Sequence, residues 1–191
     1  CKSSITYQHE KEIKKESIFI INDENDIESG KIDLENSTLK PTNSIPYNKF
    51  QKKSPLITGG DALLNTRPAI TIEVLIAIVE HESPISINNV KRRIVDIWKT
   101  KLGSNIEKHL DSIIGTTISS RKILVKQNFL WSINMINPPL RYHEPGHFTR
   151  SIKEIAPEEI EILVIECLKS SISILTEDLL RECIRFFGNN V

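Results

Sequence analysis

The chain has 191 residues, enough for one ordinary domain with a tail or for two small units. Its 25 basic and 25 acidic residues cancel, so net charge points to no partner, and an apolar share of 39% suggests a polar segment somewhere. No apolar run approaches the ~18 residues of a membrane helix, and no basic stretch leads into an apolar core as in a signal peptide. The first residue is Cys1 rather than Met, so the sequence reads as a piece of a longer protein. The three cysteines, Cys1, Cys167 and Cys183, are odd in number and form no close pair in sequence. The last two lie on apolar helical stripes, where a cysteine acts as a small hydrophobe, and the expected setting is cytoplasmic with reduced thiols.

Residues 1–68 are rich in Lys, Glu, Asn and Ser, with Pro41, Pro46, Pro55 and the Gly59-Gly60 doublet. No apolar period persists for two turns, so this stretch reads as a polar linker or extended segment, the alternative being a strap ordered along a neighbouring domain. Ser17 to Ile21 is its one candidate strand.

A domain is expected over 69–137. Ile72, Leu75, Ile76 and Val79 recur at helical spacing, opened by Pro68 or Thr71 and stopped by Ser83-Pro84. Ile85 to Ile87 reads as a very short strand. Asn88 is the expected N-cap of a second helix with Val90, Ile94 and Ile97 inside. After Leu102-Gly103, Ser104 and Glu107 have the spacing of a capping box, and the third helix carries Ile106, Leu110, Ile113 and Ile114 on one side. Arg121–Val125 and Phe129–Ile133 are two β-rich runs joined by Gln127-Asn128. Helix, short strand, helix, turn, helix, hairpin is the order of a winged helix-turn-helix, so the fold class is mainly α (α+β).

A loop is expected over 138–156, then a partial second winged-helix unit over 157–191. Ile160, Leu163, Val164 and Cys167 repeat the first stripe at an offset of 88, and Leu179, Cys183 and Phe186 repeat the second at 89. Half such a unit exposes an apolar face that further residues or a partner must cover.

Five motifs stand out: Glu82-Ser83-Pro84-Ile85, Lys91-Arg92-Arg93-Ile94, Gly103-Ser104-Asn105-Ile106, Phe129-Leu130-Trp131, and Pro138 to Arg141 leading to Ile155-Ala156-Pro157-Glu158-Glu159-Ile160. Over 70–191 they resemble a domain of uncharacterised function at the C-terminal end of very large bacterial superfamily-1 helicases, often following a Vsr-like endonuclease module. Trp98 to Lys101 departs from the pattern in lacking a small residue at the turn. The resemblance implies a helicase–nuclease parent with a role in defence against foreign DNA, and no catalytic residue within this segment.

His143-Glu144-Pro145-Gly146-His147 spells H-E-x-x-H, which binds zinc only when a helix sets both histidines on one face. Pro145 and Gly146 argue against a helix there, so the stretch is expected to be a polar loop without metal. Gly59-Gly60 lacks the Lys-Ser/Thr of a phosphate-binding loop. No catalytic residue, cofactor or small-molecule substrate is expected.

Local charge favours nucleic acid. Pro84 to Arg150 carries eleven basic and four acidic residues, net +7, whereas Ser151 to Val191 is net −4. The expected DNA-contacting residues are Arg92 and Arg93, then Asn105, Lys108 and Ser112 on the outer side of the third helix, and Arg121, Lys122 and Lys126 on the hairpin. His109 and Thr116 share that outer side. Glu107 and Asp111 oppose phosphate contact there, and base stacking by Trp131 is an alternative use of the hairpin. The expected role is a non-catalytic accessory domain that contacts or guides DNA beside the motor and nuclease domains of its parent. The alternative is a protein-docking module with no nucleic-acid contact.

Overall fold

In a computed structural model, residues 41–170 and 173–189 are described; the candidate strand at Ser17–Ile21 lies outside them. They are mixed α and β, with about half in helices, and fall within one compact unit, Ser37–Val191.

The first half builds the main core. Helix α2 (Pro68–Glu82) opens with proline at its first turn, where a missing N–H costs nothing, and stops before Pro84. Strand β2 (Ile85–Ser86) leads into α3 (Ile87–Ile97). Helix α4 (Ser104–Ser119) and the antiparallel hairpin β3 (Ile123–Lys126) and β4 (Phe129–Ser132) follow, turning at Gln127 with φ 52°. Strand β2 pairs antiparallel with β4, Ile85 opposite Leu130, so the sheet order is β2-β4-β3. Leu75, Ile78, Val79, Val90, Ile94, Leu110, Ile123 and Leu130 form the centre of this core.

The helix ends correct two expectations and explain one departure from the motif pattern. The N-cap of α3 is Ser86, whose hydroxyl accepts from the Asn89 N–H at 3.3 Å; Asn88 is already helical and exposed. At α4 the cap position falls on Gly103 and makes no side-chain cap bond, so no capping box forms. Glu107 instead pairs with Lys91, whose largely buried ammonium needs an acid more than a solvated helix end needs a cap. The turn lacking a small residue is closed by Lys99 itself, at φ 49°. Its N–H bonds Asp96 O at 3.1 Å and that of Thr100 bonds Val95 O at 3.0 Å, the Schellman pattern. Arg121, at φ 56°, ends α4 the same way.

The described part of the expected linker adds to the interior. Short helix α1 (Gly60–Asn65) buries Leu63 completely in the main core. Strand β1 (Ile45–Pro46) pairs in parallel with β5 (Arg141–Tyr142) and delivers Tyr47 to a buried position. Single apolar residues carry no period, so neither contribution was legible.

Beyond the hairpin, a one-turn 3-10 helix (Ile152–Glu154) precedes α5 (Pro157–Ser170) and α6 (Thr176–Phe186). Leu140, Ile155, Leu163, Cys167, Cys183, Phe186 and Phe187 form a second apolar cluster. Cys167 and Cys183, distant in sequence, meet thiol to thiol inside it. Phe129, Trp131 and Ala156 form a third cluster, which joins the hairpin to the start of α5. Helices α2 and α5 each begin with proline, 89 residues apart, which replaces the offset of 88 expected from the apolar stripe and matches Ile72 and Val79 to Glu161 and Leu168 instead of Ile160 and Cys167. Helices α3 and α6 are each eleven residues long, again 89 apart. Their C-cap residues, Trp98 and Phe187, have nearly identical dihedrals (φ −84° and −85°, ψ 3° in both). Gly188 (φ 76°) then closes α6 with the bonds that Lys99 makes on α3.

Candidate nucleic-acid interface

Helix α4 presents two opposite sides. Ile106, Leu110, Ile113, Ile114 and Thr117 are buried. Asn105, Lys108, Ser112 and Thr116, spaced i, i+3, i+7 and i+11, form an exposed stripe on the other side. His109 stands between the two, half-buried. Arg121 and Lys122 follow the helix end directly and are exposed, as is Lys126 on β3. Among the described residues, no acid pairs with Lys108, Arg121, Lys122 or Lys126; the Lys126 ammonium lies over the Trp131 ring at 4.1 Å.

The two acids expected to oppose phosphate are occupied. Lys91 reaches from α3 to Asp111 at 2.7 Å and Glu107 at 3.2 Å. Burial alone would lower its pKa, but hydrogen bonds and charge from both carboxylates raise it, so the cation is locked in place. One buried lysine thus offsets one of the two negative charges beside the polar stripe.

Other expected contacts are consumed internally. Arg93 is buried, bonding Glu82 through Nε at 2.9 Å and Nη2 at 3.2 Å, and it cannot reach a phosphate. Arg92 is exposed but ion-paired with Glu154 at 2.8 Å. Trp131 is buried between the hairpin and Ala156, which removes it from base stacking. Arg141 and Arg150, both counted in the local excess of +7, are buried as well. The cationic surface is therefore narrower than the charge count implied: besides Lys99 and Lys101 in the turn before α4, it comprises Lys108 on α4, Arg121 and Lys122 after it, and Lys126 on the hairpin.

The interior arginines form a network that the sequence reading missed. The Tyr47 hydroxyl donates to Glu82, Arg93 bonds both, and burial with the adjacent carboxylate pushes the phenol up to about 12. Glu159 accepts from Arg141 at 2.6 Å and from Arg150 at 2.8 Å. Burial would raise its pKa, but the two guanidiniums outweigh that and lower it. Arg141 also donates to the backbone carbonyls of Glu82 and Pro84, and Arg150 stacks over the Tyr47 ring at 4.3 Å. Glu82, Arg93, Arg141 and Glu159 all lie in the motifs behind the family resemblance, and they converge in this network. So the expected polar inter-unit loop of 138–156 carries two buried arginines.

His143-Glu144-Pro145-Gly146-His147 is not helical. His147 Nε2 lies 3.7 Å from Glu144, while His143 Nδ1 lies 3.4 Å from Thr149 Oγ1. Among the described residues, no group of three His, Cys, Asp or Glu side chains is placed to hold a metal, and no helix is long and apolar enough to cross a membrane. No protein-family model, curated protein or solved structure matches the chain.

Proposed function

We propose that residues 68–132 are a winged helix contacting duplex DNA through α4 and the hairpin, and that α5 and α6 are the first half of a second copy. The order α2-β2-α3-α4-β3-β4 and the sheet order β2-β4-β3 support the first part. The 89-residue spacing of helix starts and C-caps supports the second. The DNA reading is carried by one observation: Lys108, Arg121, Lys122 and Lys126 are exposed without acidic partners, while Lys91 holds the acids of α4. In this reading the domain is a non-catalytic accessory to a helicase–nuclease protein in defence against foreign DNA, working beside motor and nuclease domains of the same parent. That wider setting rests on the motif resemblance alone.

The test is fluorescence anisotropy of the full chain with labelled duplex DNA at about 50 and 200 mM salt. Four phosphate contacts imply a salt slope near −3.6, so affinity should fall roughly a hundredfold between the two conditions. Replacing Lys108, Arg121, Lys122 and Lys126 by Ala should abolish binding while leaving the fold intact, since all four are exposed. No binding at 50 mM salt by a folded sample overturns the proposal. The full chain is required because a start at residue 70 would delete Leu63 from the core and Tyr47 from the buried network. A second reading, docking without nucleic acid, is favoured by the exposed Leu168 and Leu180.

A further inference from the structure

Matched positions 89 residues apart behave alike on one side of each helix pair and differently on the other. Val74 and Leu163, Ile78 and Cys167, Ile94 and Cys183, Ile97 and Phe186, and Trp98 and Phe187 are all buried. The other side of α2 carries Ile72, Leu75, Ile76 and Val79, which lie in the main core with Ile106 and Leu110 of α4. The matching positions on α5 are Glu161, Val164, Ile165 and Leu168. There Ile165 is 41% and Leu168 51% exposed, whereas Val79 is fully buried. On α3, Lys91 reaches across to α4; its match on α6 is Leu180, 56% exposed. Among the described residues, no helix besides α5 and α6 contributes to their apolar cluster.

Two features specify what fits this face. Leu180 stands where Lys91 stands in the first half, so an acid such as Glu107 or Asp111 would find no cation there. Glu158 and Glu161 are spaced with Ile165 and Leu168 at i, i+3, i+7 and i+10, share their side of α5, and make no ion pair among the described residues. The cations Lys169, Arg181 and Arg185 are taken by acids of their own helices. The rim of the face is therefore acidic, and a second copy offering the same face would set like charges together.

We infer that the exposed side of α5 and α6 is a docking surface for an amphipathic helix of a partner polypeptide, apolar along one stripe and basic at its flanks. It seats there as α4 seats on α2, apolar stripe inward, with its cations beside Leu180 and within the field of the acidic rim that Glu158 and Glu161 set. The inference rests on the matched halves and not on DNA contact, so the two can fail separately.

The probe is a labelled peptide of residues 104–120 carrying Glu107→Lys and Asp111→Lys. It keeps Ile106, Leu110, Ile113 and Ile114 and turns both acids into cations. Anisotropy with the full chain should show saturable binding. Affinity should drop at least tenfold for the Leu168→Glu/Leu180→Glu chain, and as much when Glu107 and Asp111 are restored in the peptide. Both leucines are half-exposed, so the substituted chain should keep its circular dichroism and thermal midpoint. Absence of saturable binding, or equal binding by the substituted chain, overturns the inference. So does a dimer in sedimentation velocity that the double substitution abolishes, because the occupant is then a second copy.

Discussion

Helices α2 and α3 and helices α5 and α6 bury matched positions against each other, yet the two pairs differ in what covers them. The first pair is closed by α4 and the hairpin, with Leu75, Val79, Leu110 and Leu130 fully buried in one apolar core. The second pair lacks that cover on α5 and is anchored at its start by Glu159, clasped between Arg141 and Arg150. Apolar burial contributes about 25 cal/mol per Å² without regard to direction. A buried ion cluster adds little net stability over an apolar one, but it is strongly destabilising when one member is lost, and its geometry admits one arrangement. Both pairs thus combine apolar burial with a buried ion cluster, Glu82 with Arg93 in the first and Glu159 with Arg141 and Arg150 in the second, and they differ in the cover that α4 and the hairpin give the first.

The comparison breaks most readily at Glu159. Glu159→Ala would strand two buried guanidiniums and should cost about 3–5 kcal/mol in denaturant unfolding. A cost below about 1 kcal/mol would show that charge does not anchor the second half. Alkaline titration separates the halves next. Burial pushes the Cys183 thiol up to about 11 against an ordinary 9, so the unfolded chain loses that proton first. Stability should be complete below pH 9 and fall by about 3 kcal/mol as pH rises to 11. Tyr47, up at about 12 against 10, adds a later loss between pH 10 and 12. Burial raises the Cys167 thiol as well, so Cys183→Val should shrink the step that begins at pH 9 and Cys167→Val/Cys183→Val remove it, both keeping the later one, which thermal midpoints across pH would resolve.

Smaller effects test the matched positions themselves. Val79→Ala should cost about 2 kcal/mol and its match Leu168→Ala under about 0.5 kcal/mol, since only Val79 is enclosed. Equal costs would mean that the face on α5 is already covered. The two helix ends should respond with opposite signs. Lys99→Gly relieves a left-handed lysine and should stabilise by about 1 kcal/mol. Gly188→Ala should destabilise by at least about 1 kcal/mol, because its φ is 76° and an added Cβ would meet the His143 ring at 2.2 Å.

Elements with a sustained period were legible in the sequence. Ile72 to Val79 and Ile106 to Ile114 announce α2 and α4, and two β-rich runs either side of Gln127-Asn128 announce the hairpin. Of the candidate site, the stripe Asn105, Lys108, Ser112 and the hairpin cations are exposed as read. Arg93 was not separable from them, because a buried guanidinium and a solvated one look alike until the partner is known, and Glu82 lies on another helix. The thiol contact was hidden for the same reason, since only the packing of α5 on α6 brings Cys167 to Cys183. Lys99 and Arg121 carry no mark of the left-handed turn they adopt, where glycine would have announced it.

Arg141 has a consequence for how the chain opens. Its guanidinium grips the carbonyls of Glu82 and Pro84 with one set of donors and Glu159 with another. Fraying of α5 from its first turn would release a carboxylate from two cations and leave a fork of N–H groups facing only carbonyls. The end of α2 and the start of α5 therefore belong to one cooperative opening unit despite lying some 75 residues apart. Amide protons in both places should exchange with deuterium at a common rate, slower than those at the far end of α6.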